Sequence, residues 1–423
     1  MIQRRTRVGA AVLGSLAVAG LALSQAAPVH ADPAAQAGDV VGVGSDIIQN
    51  SVNFLADGYA GLPGYNTAGN RHRVFNYDAT GDANSRNAFT DPALGTAENL
   101  NATVVVRGGT SPIRRPNGGG KGITALLNDG DPTNGNRIQF ARTPNALSAT
   151  QKSTALGTGG IGSYRTIQFA KDVQYVATAT TTNAPPALSV ADLAWIYTHS
   201  GATWAQLKAG VSDLGSWTPP APNATIVPLL PQDGAGVQQV FLKALGLWSS
   251  GSKASTVNWV QQVKQNDPTT ITTLSAEEKP NALVPFPQGR YTLLNDHYFY
   301  PATKTEAIAA GTGTADPGDY NSANLGTPLG TGGIALQTGT GAFKTDIRYL
   351  VVFRESDATS TTPWQPGSTL NWVQSLFYNE DYDADSTSNT VLPPYVQSPA
   401  GKQILTQLGL TPTYKDFGTD YTE

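Results

Sequence analysis

Cysteine is absent from this 423-residue chain. That excludes disulfides, thiolate metal sites, a cysteine nucleophile and a lipid-modified cysteine behind a leader. Charged residues make up only 14%. Histidine is scarcer still: His30, His72, His199 and His297 are scattered without metal-ligand spacing. Catalytic signatures are missing too. There is no H-E-x-x-H, no complete phosphate-binding P-loop around Lys121 and no G-x-S-x-G elbow, and Ser250-Gly251-Ser252-Lys253 fits S-x-x-K without its companion motifs. Asp381, Asp383 and Asp385 alternate like the start of a calcium loop, but the glycine and terminal glutamate of such a loop are lacking. They read as a solvated acidic loop, and "NDGDPTNGN" at 128–136 as a turn cluster. No metal and no cofactor is implied.

The one long apolar run lies at the start. "MIQRRTRVGAAVLGSLAVAGLALSQAAPVHA" has a basic head, an apolar stretch from Val8 to Leu23 and small residues around His30, the pattern of a signal peptide over residues 1–31. A linker at 32–38 follows, and the expected location is extracellular. Losing Arg4, Arg5 and Arg7 leaves 24 basic against 31 acidic residues, a net charge of −7. Such a balance argues against nucleic acid as a partner. A hydrophobic content of 39% suits a globular protein, and the length predicts two domains or lobes. The 45 glycines and 28 prolines predict many turns rather than long helices.

Strand, glycine turn and helix recur along the chain. "DVVGVGSDIIQNSVNFLADGYAG" predicts a strand and then a helix capped by Ser45 or Asp46, with Ile47, Ile48, Val52 and Leu55 facing the core. Thr103–Arg107 predicts a strand, "RRPNGGGKG" a glycine loop, and Ile123, Leu126 and Leu127 the buried face of a helix. "RIQFART" reads as a strand, "TIQFAKDVQYVATA" as two strand pieces joined by charged residues, and Leu188–Lys208 as helical. Strand, loop and helix return in "ATIVPLLPQDGAGVQQVFLKALG", with Val237, Val240, Phe241 and Leu245 on one face. "DIRYLVVF" predicts a late strand and "SPAGKQILTQLGL" a late helix. The order implies an α/β architecture, in which helix N-termini at strand ends offer unpaired N–H groups to an anion.

In sequence order these motifs resemble the phosphate-type (PstS-like) substrate-binding proteins of ABC importers, in particular their larger actinobacterial members. "VGVGSDIIQ" is similar to the first loop of that family, "RRPNGGGKGITAL" to its "GSGAG" loop, and "IQFART" to its third corner. "FAKDVQYVA" resembles the first crossover between lobes, "LSVADLAWIYTHSGATWAQL" a segment of the second lobe, and "LLPQDGAGVQQVFL" the "R.DGSGT" loop, with "VKQNDPTT" and "ALVPFPQGRYTLL" later in the chain.

The resemblance implies a two-lobed type 2 periplasmic-binding-protein fold: mixed sheets flanked by helices with a cleft between lobes. Residues 39–170 and part of 301–423 would form lobe one, and 171–300 lobe two, with a C-terminal extension at the end. It implies ligand contacts at Ser45, Asp46 and Ile47, at Asn117, Gly118, Gly119 and Gly120, at Arg142 and Thr143, and at Asp233, Gly234 and Gly236. Gly119, Ala235 and Val237 stand where the family places hydroxyls, the third corner lacks its aspartate, and the fourth loop lacks its arginine. Arg142, Lys121, Arg114 and Arg115 are the cations that could compensate by facing the cleft.

Two functions follow. One is a secreted, non-catalytic and monomeric solute-binding protein taking phosphate, another oxyanion or a small polar ligand, with importer membrane subunits as partners. The other is an extracellular structural or interaction protein on the same scaffold that has lost high-affinity phosphate binding.

Overall fold

Residues 164–179, rich in aromatic and β-branched side chains, form a single 16-residue strand that both halves of the molecule share. The computed structural model describes residues 35–59, 61–68, 72–77, 79, 103–129, 136–211, 213–249, 251–295, 333–383 and 388–423. The stretch read as a signal peptide, His297 and Asp385 lie outside them.

The strands of the main sheet are β1 (Val40–Gly44), β2 (Val74–Asn76), β3 (Phe140–Thr143), β4 (Tyr164–Ala179), β5 (Val227–Pro231), β6 (Gln261–Val263), β7 (Ala282–Pro287), β8 (Ile334–Leu336), β9 (Thr345–Arg354) and β10 (Thr411–Thr419). They pair in the order β6-β5-β7-β4-β9-β3-β1-β2, with β8 and β10 also on β4. The outer pairs β1–β2, β1–β3, β5–β6 and β5–β7 are parallel, and every pairing of β4 is antiparallel. The sheet is therefore mixed.

Helices cover both halves: α1 (Asp46–Asp57), α2 (Gly119–Leu127), α3 (Ala149–Leu156), α4 (Val190–Thr198), α5 (Trp204–Gly210), α6 (Gly236–Ala244), α7 (Gln288–Asn295), α8 (Trp372–Leu376) and α9 (Pro399–Gln407). Lobe one holds β1, β2, β3 and β9 with α1, α2 and α9; lobe two holds β5, β6 and β7 with α4, α5 and α6. Each has its own buried clusters. Ile48, Phe140, Phe353 and Ile404 lie in one, and Leu193, Trp204, Phe241 and Leu283 in another. The fold is the α/β class expected from the loop order, with the two lobes that the family resemblance implies.

Three local expectations need correction. The charged pair Lys171-Asp172 does not break β4, because alternation sends the two side chains to opposite faces. Lys171 pairs outward with Asp346 at 3.0 Å, and Asp172 turns inward onto the Tyr349 hydroxyl. Leu188–Lys208 is two helices: Gly201 adopts φ +71°, and Ser189 and Thr203 each start a helix with a reciprocal capping box. Thr103–Arg107 contributes only a small hairpin, Thr103–Val104 against Ile113–Arg114, while Val74–Asn76 supplies the sheet strand beside β1.

Trp204 is fully buried, and its indole N–H donates to Asn281 Oδ1 at 2.8 Å. Trp204→Ala removes both packing and bond, and should lower the stability of lobe two by about 3–5 kcal/mol in denaturant titration.

Candidate functional site

Four loops meet where the lobes face each other. The first leaves β1 at Gly44, whose φ of +121° turns the chain into α1. A Cβ on Gly122 would sit 2.5 Å from the Gly44 Cα, so α2 packs directly on the end of β1. Residue 117 bridges to Gly44, which sets the second loop beside the first. The third loop follows β3, and the fourth joins β5 to α6. The lobes are closed on each other here: a Cβ on Gly118 of lobe one would lie 2.7 Å from the Gly234 carbonyl oxygen of lobe two.

The three helices starting at these loops differ from α3, α4, α5, α8 and α9, although the one-turn helices Thr269–Thr272 and Glu355–Ala358 also lack side-chain caps. Ser45, Gly118 and Ala235 stand at the N-caps of α1, α2 and α6, and none caps its helix with a side chain. Away from the cleft, Ser148, Ser189, Thr203, Asn371 and Ser398 cap α3, α4, α5, α8 and α9. Helices that border the cleft thus keep first-turn N–H groups free of side-chain acceptors, at the positive ends of their dipoles.

Carboxylates and amides complete the site. Asp46, in the first turn of α1 and only 5% exposed, accepts a hydrogen bond from Asn266 Nδ2 of lobe two at 2.9 Å. Asn266 is itself buried, sits at φ +60°, and has no hydrogen-bond partner for its Oδ1 among the described residues. Gln265 Nε2 reaches Asn117 Oδ1 at 3.4 Å, and Asn145 Nδ2 donates to Gln239 Oε1 at 3.0 Å. Burial pushes the Asp233 carboxyl up, but hydrogen bonds from Lys253, Gln238 and Gln262 outweigh it and hold Asp233 below the usual range.

The residues expected to bind ligand divide on inspection. Ser45, Asp46, Asn117, Gly118, Gly119, Asp233, Gly234 and Gly236 come together at the loops described. Ile47 turns into the core of lobe one, with its carbonyl accepting from the Tyr349 hydroxyl at 2.9 Å. Gly120 is solvent-exposed, and its carbonyl accepts from Thr124. The Thr143 hydroxyl is occupied within its own corner, donating to the Asn145 carbonyl at 2.7 Å.

Arg142 does not compensate from the cleft wall as the sequence suggested. Fully buried in lobe one, it donates to the carbonyls of Ser45, Gly44 and Tyr77 and to the Asn76 side chain, where it ties β1 to β2. Carbonyls left over at strand ends need a donor, and a guanidinium carries five N–H groups. Lys121 and Arg114 are exposed, and burial lowers the Arg115 guanidinium to about 10.

Sequence reasoning also missed Pro144. A Cβ on Gly119 would fall 2.7 Å from its Cδ, and one on Gly236 would overlap its Cγ. The proline ring therefore fills the space between the starts of α2 and α6. Asn266 was missed as well, although "KQND" lay within a quoted segment; no side-chain type marks an asparagine that crosses to the other lobe.

No protein-family model and no curated protein sequence matches the chain. In fold it is similar to solved phosphate ABC transporter substrate-binding proteins. One is an ABC-type phosphate transport receptor from Vibrio cholerae, at 12% identity over 89% of this chain and 100% of the other, with a TM-score of 0.43. A phosphate ABC transporter substrate-binding protein with bound phosphate from Clostridium perfringens is 12% identical over 89% and 99%, with a TM-score of 0.42. PstS from Borrelia burgdorferi is 13% identical over 88% and 98%, with a TM-score of 0.35.

Gly118→Ala tests the closure. The new methyl group would press on the Gly234 carbonyl at a backbone angle alanine disfavours. Small-angle scattering should show a larger radius of gyration than for the unsubstituted protein.

Proposed function

We propose that this is a secreted, non-catalytic, monomeric solute-binding protein that takes a small protonated oxyanion, phosphate by preference, between its lobes and delivers it to importer membrane subunits. The observation that carries the reading is the meeting of three helix N-termini, all without side-chain caps, at one interlobe point. Their N–H groups suit the acceptor oxygens of an anion. The Asp46 carboxylate and the partnerless Asn266 Oδ1 are acceptors, and suit a ligand that also has a hydrogen to donate. Hydrogenphosphate meets both demands. Sulfate, with no proton at neutral pH, leaves the two acceptors facing it. The phosphate ligands and transporters named for the neighbouring structures fit this reading.

Binding is expected to be weak. The cations near the cleft are already engaged, Lys253 by Asp233 and Arg290 by the Asn266 carbonyl, while Asp46 and Asp233 oppose an anion, and each charged hydrogen bond lost from a desolvated site costs about 1.5–3 kcal/mol. A second reading, the scaffold that has lost its ligand, draws on one observation: the Pro144 ring lies between Gly119 and Gly236.

Calorimetric titration with phosphate and sulfate, on the unsubstituted protein and on Asp46→Asn and Pro144→Ala, separates the readings. Solute binding predicts a phosphate dissociation constant of about a millimolar, sulfate at least about tenfold weaker, a smaller phosphate preference in Asp46→Asn, and tighter phosphate binding in Pro144→Ala. No heat with either anion in any of the three proteins establishes the scaffold reading instead.

A further inference from the structure

The hinge contains a buried acid that plays no part in the cleft. Asp172 is 1% exposed, in the middle of β4. It sits where one edge of that strand changes partner, from β10 at Lys171 to β7 at Gln174. The start of α7 fills that gap. Asp172 Oδ1 accepts from the Gly289 N–H at 2.9 Å and from the Val173 N–H at 2.7 Å. Gly289 is needed for the approach, since a Cβ there would come within 3.0 Å of Asp172 Oδ2 and 2.7 Å of the Leu410 side chain.

The other carboxyl oxygen poses a question of proton count. The Tyr349 hydroxyl on β9 lies 3.0 Å from Asp172 Oδ2 and 2.9 Å from the Ile47 carbonyl oxygen in the first turn of α1. A carboxylate and a carbonyl are both acceptors, and a phenol has one hydrogen. With Asp172 ionised, one of the two short contacts pairs lone pairs without a proton. With a hydrogen on Oδ2, both are satisfied: Asp172 donates to the Tyr349 oxygen, and Tyr349 donates to Ile47. Among the described residues no cation lies within ion-pairing distance of Asp172. The charged and titratable groups around the chain are Tyr349 from β9, Arg290 from α7 and Asp46 from α1, while the segment between α9 and β10 brings Leu408 and Leu410.

We propose that Asp172 is a neutral carboxylic acid in this closed conformation, its proton completing a hydrogen-bond chain from the hinge strand to α1, so that the closed hinge is a proton-binding state that loosens as the acid ionises. Burial pushes this carboxyl up to about 6, against the opposing hydrogen bonds from Gly289, Tyr349 and Val173. The sign is that of a raised acid. The folded state keeps a proton that the unfolded chain releases near the ordinary value of 3.8, so the stabilisation is full below that pH and is lost as pH rises towards 6. The proposal concerns the hinge alone and holds whether or not the cleft takes an anion.

Asparagine copies the protonated acid, with an amide N–H towards Tyr349 and a carbonyl towards Gly289. Thermal unfolding and scattering are therefore measured from pH 4 to 7.5 on the unsubstituted protein and on Asp172→Asn. The unsubstituted protein should lose stability relative to the variant by up to about 100-fold in the folded-to-unfolded ratio across that range, and should expand at the upper end where the variant stays compact. Parallel pH profiles overturn the proposal. Should Asp172→Asn not fold, the carboxyl carbon-13 resonance of Asp172 in the unsubstituted protein decides: a midpoint near 6 supports the proposal, and a midpoint at the ordinary aspartate value overturns it.

Discussion

A strand has two edges, and β4 has partners on both along most of its length. One edge carries β9 and then β8, the other β10 and then β7. The partners change near the middle, so the N-terminal half of β4 belongs to lobe one and the C-terminal half to lobe two. Two buried clusters are thereby hung on one continuous hydrogen-bonded backbone, with α6 giving Val237 to one and Phe241 to the other. Relative motion of the lobes has to be absorbed by the twist and bend of β4 and β9 near residues 172–174, since breaking the ladder would leave buried backbone groups unpaired. A carboxyl group at that position is therefore placed where the conformation of the whole molecule is decided.

The electrostatics of the cleft follow from how the loops are built. Each helix that starts there brings about half a positive charge at its N-terminus, and the absence of side-chain caps leaves the first-turn N–H groups without their usual acceptors. Asp46 and Asp233 partly neutralise this field. Lys253 answers Asp233 at 2.8 Å, whereas Asp46 accepts from the neutral amide of Asn266. The buried guanidinium of Arg142 is spent on carbonyls beneath the first loop. In the proposed reading, such a site favours ligands with several acceptor atoms and a hydrogen to give over those that bring only negative charge.

What could be read from the sequence was periodic or local. The buried faces of α1, α2 and α6 were legible because apolar residues recur at helical spacing, and the glycine loops because positive backbone angles and close approaches call for glycine. The direction of a side chain was not legible. Arg142 looks the same in sequence whether it faces a cleft or a strand end, and only the carbonyls of Gly44 and Tyr77, brought near by folding, decide between them. Lys171-Asp172 read as a break because charge was weighed above alternation. Pro144 carried no signal of its own, since its contacts with Gly119 and Gly236 depend on closure of two distant segments.

The contacts across the cleft also limit how tightly anything can bind. The lobes are held by Asn266 on Asp46, Asn145 on Gln239, Gln265 on Asn117, and the proline ring between the starts of α2 and α6. A ligand entering between those starts must displace the ring and open some of these bonds before it gains any N–H group. Its apparent affinity is then the intrinsic one reduced by the fraction of molecules already open. Because the same lobes are joined at β4, whatever weakens the hinge raises that fraction. Cleft and hinge are thus coupled through the open population, and Tyr349 touches the first turn of α1 only at the Ile47 carbonyl.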